Sequence, residues 1–279
     1  MAYRRLCGAF GAAPFSMAMF APFRFIQPFT TQSVVRALAS AALLGLLFGC
    51  AAPQKAVNLR TDAPEHNSWD SVAISQWEAM QFPNKEATRY SVDHRAPADA
   101  QGLRSALRAQ SDASASMLRT SLDISPDELR HVHFSWLVPA LIKEADMATR
   151  QGDDSPVRLV LAFEGDRGNF SAKDAALNEL TRLMTGKEMP YATLMYVWCN
   201  KRPVGTIIHN ARTDRIRKMV IESGPMGLRQ WRNYERDIRA DFEAAFGEAP
   251  GKLVGIGIMT DSDNTHSQTQ AWYGKISLK

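Results

Sequence analysis

The sequence predicts a mainly β protein: an antiparallel β-sandwich of jelly-roll type with two inserted α-helices. Short segments rich in Val, Ile, Tyr and Trp recur from about residue 72 onwards and are separated by turn residues. Helical patterns interrupt them twice, which is too sparse an alternation for a doubly wound parallel sheet.

The strands are predicted from runs of β-branched and aromatic residues. Three segments alternate weakly: Val72–Trp77, Thr88–Asp93 and Gly102–Ala109. Seven stronger segments follow: His131–Val138, Val157–Glu164, Thr193–Asn200, Gly205–Ile208, Lys218–Glu222, Leu253–Thr260 and Ala271–Leu278. Within Leu253–Thr260, Gly255 and Gly257 share one face, where they leave room for an inserted helix or, as the less favoured alternative, a ligand.

The first helix begins at a capping box, Ser171-Ala172-Lys173-Asp174, in which the two end residues can satisfy each other's backbone N–H groups. Leu177, Leu180 and Met184 then share one face, and the helix ends near Gly186. A single capped turn is predicted at Ser125–Glu128, before a strand.

The second helix is predicted from about Trp231 to Phe246. Aromatic and aliphatic residues recur there at helical spacing, and Gly247 stands where a helix would end. The arginines on the opposite face are interpreted as a solvated surface rather than an anion site.

The N-terminal region resembles a signal for lipid attachment, with a cleaved secretory signal and an incidental cysteine as the less favoured alternative. Ala37–Phe48 is an uncharged apolar run of signal-peptide length, too short to cross ~30 Å of hydrocarbon. Leu47, Gly49 and Cys50 match a bacterial lipoprotein signal, so Cys50 is the predicted lipidation site. The residue after Cys50 is not Asp, which by resemblance to sorted lipoproteins predicts a lipid-anchored protein of the bacterial cell envelope, in the outer membrane facing the periplasm.

These features divide the chain into a leader and signal peptide (1–49), a lipidated tether (50–67) and a single β-sandwich domain (68–279). The first 33 residues contain scattered arginines and three prolines and do not fit a signal. We therefore expect translation to start later, at Met17, Met19 or a codon near Val34.

The charge balance argues against a nucleic acid partner. The whole chain has 33 Lys and Arg against 29 Asp and Glu, and four arginines but no acidic residue lie in residues 1–50. Without that segment the basic residues also number 29, so the remaining chain lacks the positive surplus that phosphate binding requires.

Two acidic loops are the candidate metal-binding residues. Asp261, Asp263 and Asn264 follow a strong strand, while Asp153 and Asp154 precede another. Carboxylate and amide oxygens are the ligands that Ca²⁺ takes, so Ca²⁺ is the one cofactor considered. The alternative is that these residues stabilise turns by local hydrogen bonds. If the loops meet, repulsion between the carboxylates would raise a pKa or recruit a cation.

Other candidate groups are interpreted as structural. Cys199 is predicted to be a buried small hydrophobic residue, and His131 and His133 lack a third metal ligand. Trp136, Trp198 and Trp272 would stack on sugar rings only if exposed, and are predicted to lie in the core. The sequence contains none of the common nucleophile, zinc-protease or phosphate-loop motifs.

Eight short segments carry a resemblance to a known family: Ser114–Ser116, Phe134–Trp136, Gly152–Asp154, Tyr196–Trp198, Val220–Gly224, Phe246–Gly247, Met259–Thr265 and Tyr273–Gly274. Through them the sequence from about Ser68 to Lys279 resembles a bacterial family known as domain of unknown function 3047. The resemblance implies an often exported, β-rich domain and brings no established activity. This chain departs from the family pattern at His266, where the pattern has Gly.

The favoured hypothesis is a non-catalytic binding domain on an envelope lipoprotein, attached to the membrane through its lipid and recognising glycan or another envelope component. The alternatives are a metal-assisted hydrolase or lyase that uses Asp153, Asp154, Asp261 and Asp263 on envelope polymers, and a scaffold for envelope proteins.

Overall fold

The computed structural model describes residues 67–99 and 102–279. Within them the chain forms two sheets of seven strands each, numbered here in chain order. The first sheet contains β1 (Asn67–Trp69), β3 (Arg89–Asp99), β4 (Gly102–Asp112), β6 (His131–Leu137), β11 (Trp231–Asp237), β13 (Gln268–Tyr273) and β14 (Ile276–Leu278). The second contains β2 (Glu78–Gln81), β5 (Ala115–Ile124), β7 (Ser155–Phe163), β8 (Ala192–Cys199), β9 (Ile207–His209), β10 (Ile216–Ser223) and β12 (Leu253–Asp261).

The strand order in the first sheet is β1-β14-β6-β13-β4-β3, with β11 paired to β6, and in the second β2-β5-β12-β7-β8-β10-β9. Neighbouring strands are antiparallel except β8 and β10, which run parallel. This confirms the predicted β-sandwich. Because β12 lies between β5 and β7 and is antiparallel to both, its C-terminal end lies beside the N-terminal ends of β5 and β7. One acidic loop follows β12, and the other precedes β7.

The core lies between the sheets and is rich in aromatic residues. Phe134 on β6 packs against Trp136 and Tyr234 of the first sheet and Tyr196 of the second, with ring centroids 5.1, 5.2 and 5.8 Å away. Trp136 and Trp198 have no exposed surface and Trp272 only 7 %. The predicted core position of the three tryptophans is confirmed, and none of them presents a ring for sugar stacking.

The described residues form three helices: α1 (Ser71–Ser75), α2 (Ala172–Thr185) and α3 (Ile238–Phe246). In α2 the Ser171 side chain accepts from the Asp174 N–H, as the capping box predicts, and Gly186 ends the helix in the left-handed region at φ 70°. The predicted turn at Ser125–Glu128 is also present, as one 3₁₀ turn.

Two element predictions are wrong. Val72–Trp77 is not a strand, because the Asp70 carboxylate accepts hydrogen bonds from the N–H groups of Val72 and Ala73 and so starts α1. The second predicted helix begins at Ile238 rather than Trp231. Residues 231–237 form β11, which pairs along the whole length of β6.

The atoms nearest to the two glycines of β12 belong to the neighbouring strands β5 and β7 and not to a helix. A Cβ on Gly257 would lie 2.8 Å from the Met117 sulfur and 2.9 Å from the Leu118 carbonyl oxygen. The expectation that a helix packs there is therefore wrong. Among the described residues, no helix has the length and apolar character needed to cross a membrane.

Candidate functional site

A groove of about 650 Å³ lies at one end of the sandwich and is called the polar groove below. Its walls come from β3, β4, β13, the loops next to these strands, the loop after β6 and the loop before β11. Its lining residues are Glu86, Ala87, Arg89, Gln110, Ser111, Asp112, Ser114, Pro139, Ala140, Leu141, Arg229, Gln268, Thr269 and Gln270. Three amides, two guanidinium groups and two carboxylates surround a short apolar patch, so the formal charges of the lining cancel.

Backbone strain concentrates around this groove. Asn84, Ala113, Arg229 and His266 are the non-glycine residues with positive φ in the described part of the chain, at 60, 43, 62 and 53°. Arg229 lines the groove, and Ala113 lies between two residues that do. Asn84 and His266 belong to the loops next to it. Such conformations cost free energy and persist where the surrounding structure enforces them, most often at functional sites.

The two acidic loops predicted from the sequence meet directly behind the groove. One carboxylate oxygen each from Asp154, Asp261 and Asp263 lies within 4.8 Å of the others. All three side chains are buried, with 1, 1 and 8 % of their surface exposed. Asp153 stands beside them, and the four residues are called the carboxylate cluster below.

Buried hydroxyl groups connect the cluster to the groove. Ser262, between two cluster residues, donates its N–H to the Ser114 carbonyl oxygen at 3.0 Å, and its hydroxyl lies 2.7 Å from that of Ser111. Both Ser111 and Ser114 line the groove. The cluster thus supports the groove wall from inside and does not itself line the groove.

A buried arginine occupies the centre of the cluster. Arg158, 3 % exposed on β7, donates Nε to Asp261 Oδ1 at 2.9 Å and Nη2 to Asp261 Oδ2 at 2.8 Å. Its Nη2 also lies 3.2 Å from Asp153 Oδ1. Burial raises the pKa of Asp261 to about 7, against the opposing effect of Arg158.

Two lysines add positive charge beside the cluster. Lys218, 1 % exposed on β10, lies 2.6 Å from Asp153 Oδ2, and Lys85 forms an ion pair with Asp263. Burial would raise the pKa of Asp153, but the charges of Arg158 and Lys218 outweigh it and hold that pKa below its usual value. Burial and the charge of Arg158 lower the pKa of Lys218 to about 8.

Asp154 is held by hydrogen bonds from neighbouring residues. Its Oδ2 accepts from the N–H and hydroxyl of Thr265 at 2.7 and 2.6 Å, and its Oδ1 accepts from the Asn264 amide at 3.0 Å. This is the local side-chain bonding that the sequence left as the alternative to a metal site. A Ca²⁺ ion here would have to compete with Arg158, Lys85 and these donors, so Ca²⁺ binding stays a prediction.

The other sequence candidates lie away from the groove. Cys199 is 2 % exposed and packs with Val197 and Met195, as predicted. His133 lies 3.7 Å from Glu235, a structural contact between β6 and β11. The sequence reasoning missed Arg158 and Lys218, although a lone charge inside an apolar strand was a usable signal for both. It also missed the three groove glutamines, whose spacing has no distinctive pattern.

A family model described as "Protein of unknown function (DUF3047)" matches residues 75–277. The chain belongs to this family. The match covers the sandwich from the end of α1 to β14 and includes both acidic loops and every residue that lines the polar groove. A search of the curated proteins finds no match.

Three solved structures align with the chain at low similarity. The glycoside hydrolase domain of Endo-D from Streptococcus pneumoniae is 10% identical with a TM-score of 0.30, and the alignment covers 73% of this chain and 22% of that one. TmCBM61 in complex with beta-1,4-galactotriose is 11% identical with a TM-score of 0.31, and the alignment covers 74% of this chain and 89% of that one. The xyloglucanase domain of NopAA, a type three effector from Sinorhizobium fredii, in complex with cellobiose is 8% identical with a TM-score of 0.37, and the alignment covers 76% of this chain and 96% of that one. The chain spans about a fifth of the pneumococcal chain's length. At these values the alignments say nothing about ligand or activity.

Proposed function

We propose that the domain is a non-catalytic binding module that holds a neutral, hydroxyl-rich ligand, such as a glycan of the cell envelope, in the polar groove. The observation that supports this most is the coincidence of strained backbone and amide-rich lining at one cavity. Its volume of about 650 Å³ lies within the range of small-ligand sites.

The chemistry of the lining favours hydroxyl groups as its partners. The side-chain amides of Gln110, Gln268 and Gln270 each donate and accept hydrogen bonds, and so does every hydroxyl of a sugar. The balanced charges of Glu86, Asp112, Arg89 and Arg229 do not favour an ion of either sign. A glycan satisfies both conditions, whereas a nucleic acid would need a positive surplus.

The arrangement of the carboxylate cluster favours binding over hydrolysis. Asp153, Asp154, Asp261 and Asp263 each have a protein partner, and three of them are nearly inaccessible to solvent. A hydrolase that used them would need to break the Arg158–Asp261 ion pair and open the groove wall first. A scaffold for envelope proteins is the remaining alternative. Absence of glycan binding in the titration described next would favour it.

The binding test uses the full chain and matched variants. Neutral oligosaccharides, an acidic oligosaccharide and peptidoglycan fragments are titrated by calorimetry into the parent and into Gln110→Ala/Gln268→Ala. Loss of two hydrogen bonds worth ~0.5–1.5 kcal/mol each should weaken binding of a neutral glycan about tenfold. Gln81→Ala, an exposed glutamine on β2, is the control. No binding of any glycan, or equal loss in the control, would refute the proposal.

We also propose that Cys50 carries a lipid that holds the domain at the outer membrane, facing the periplasm. The support is the apolar run before Cys50 and the small residues around it. Radiolabelled palmitate should label the parent chain in a bacterial host and Cys7→Ser equally, and should not label Cys50→Ser. Labelling that persists in Cys50→Ser would exclude this anchor.

A further inference from the structure

Helix α2 has its amphipathic pattern reversed relative to the domain. Asp174 is 3 % exposed and accepts a hydrogen bond from the Asp214 N–H at 3.3 Å, and Asn178 accepts from the Met189 N–H at 2.9 Å. Polar side chains of the helix therefore face the protein. A surface helix of a globular domain normally has the opposite arrangement.

One outward strip of α2 is apolar and lies beside the exposed ion pair of Glu179 and Arg182. Leu180, Leu183 and Met184 are 52, 71 and 64 % exposed, and Ala176 is exposed beside them. These four residues follow the spacing i, i+4, i+7, i+8 and so form one continuous stripe, called the α2 stripe below. Elsewhere in the described residues, exposed large apolar side chains such as Val204 and Met226 stand apart from one another in the sequence.

We propose that the α2 stripe lies on the surface of the lipid bilayer to which the chain is tethered. This inference rests on the proposed anchor at Cys50. Sixteen residues lie between Cys50 and β1, which begins at Asn67, and at ~3.3–3.6 Å per residue this segment reaches at most ~60 Å. The tether thus keeps α2 close to one bilayer and raises its effective concentration there.

The size of the stripe favours lipid over a protein partner. A helix of 14 residues is ~21 Å long and ~10 Å wide, a footprint of ~200 Å². A specific protein interface buries ~800 Å² on each partner, so a second copy of this chain would need further contacts. A bilayer needs no matching surface, and an interfacial helix inserts only its apolar face. Lys173 and Lys187, both exposed at the ends of the helix, suit anionic headgroups, and Lys187 also lies 3.8 Å from Glu78 Oε1.

The test measures hydrogen exchange of α2 in the full, acylated chain with and without vesicles of phosphatidylethanolamine and phosphatidylglycerol. Exchange of the α2 amides should slow about tenfold on vesicles. In Leu180→Gln/Leu183→Gln/Met184→Gln that slowing should disappear while palmitate labelling stays. Val204→Gln/Met226→Gln is the matched control and should behave as the parent.

The outcomes separate the two proposals. Palmitate labelling with unchanged α2 exchange on vesicles would overturn the α2 inference and leave the anchor in place. Absent labelling would remove the anchor, and vesicles added in excess would then test α2 by itself. Protection of α2 that rises with protein concentration in the absence of lipid would show self-association instead and would overturn the choice of lipid.

Discussion

Arg158 and Asp261 form a bidentate ion pair between adjacent strands, although they lie 103 positions apart in the sequence. The pair lies near the beginning of β7 and at the end of β12, directly behind the polar groove. Both side chains are at most 3 % exposed. Burying such a pair is costly, but once it is buried each partner depends on the other.

Removing one partner should therefore destabilise the domain strongly. Arg158→Met leaves Asp261 buried without its cation, and we expect the free energy of unfolding to fall by ~3–5 kcal/mol at pH 8. Urea unfolding followed by tryptophan fluorescence measures this. Arg182→Met removes a half-exposed partner of Glu179 on α2 and should lower the free energy of unfolding far less, because solvent screens this surface pair. Similar losses in both variants would contradict the central role of Arg158.

The raised pKa of Asp261 predicts a specific dependence of stability on pH. Between the pKa of about 4 in the unfolded chain and about 7 in the fold, the native state holds a proton that the unfolded state has lost. Asp261 therefore contributes stability at low pH that is lost as the pH rises through 7. The slope is at most ~1.4 kcal/mol per pH unit, the value for one proton.

Asp261→Asn tests this assignment because it keeps the shape and removes the titration. The unfolding free energy of the parent minus that of Asp261→Asn should fall steadily from pH 4 to pH 7 and level off above pH 7. Asp127→Asn, an exposed carboxylate in the turn before β6, is the control. A difference that stays constant with pH would show that Asp261 keeps an ordinary pKa.

Local sequence patterns predicted strands well where apolar residues alternate, and failed where tertiary pairing decided the outcome. Residues 231–246 carry aromatic residues at helical spacing throughout, yet the first seven form β11. The open edge of β6 binds this segment, and Arg232 and Arg236 find partners in Glu222 and Asp241. β5 was not predicted because its Ser, Thr and Arg residues mask the apolar alternation.

The candidate site could be predicted only in part for a similar reason. The residues of the acidic loops were recognisable from their composition. Their convergence depends on β12 lying next to β7, and their neutralisation depends on Lys218 from β10 and Lys85 from the loop after β2. Neither relationship is a property of nearby sequence. The polar groove is assembled from five separate segments, so no single motif marks it.

The ion pair between Lys85 and Asp263 makes a prediction about Ca²⁺. If the carboxylate cluster accepts a cation, Lys85 is its most accessible competitor, with 37 % of its side chain exposed. Millimolar Ca²⁺ should raise the melting temperature of Lys85→Met more than that of the parent, because stabilisation follows the affinity of the native state. Differential scanning fluorimetry with Ca²⁺ or EDTA measures the effect.

Lys201→Met is the control for general charge removal, since Lys201 pairs with Asp146 outside the cluster. A large Ca²⁺ stabilisation of the parent itself would show that the cluster binds the ion without displacing Lys85. Equal, small effects in the parent and both variants would remove Ca²⁺ from consideration at this site.

The two glycines of β12 give a sharp comparison of packing within one strand. An Ala at 257 would place its Cβ 2.9 Å from the Leu118 carbonyl oxygen, which β5 holds in place, and 2.8 Å from the Met117 sulfur. An Ala at 255 would meet the Thr120 carbonyl oxygen at 3.5 Å, an ordinary contact. Gly257→Ala should therefore lower the free energy of unfolding by ~1–3 kcal/mol, while Gly255→Ala should leave it unchanged or raise it slightly, since Gly weakens a strand interior. Urea titration of both variants decides the point, and equal effects would mean that β5 and β12 adjust freely to an added methyl group.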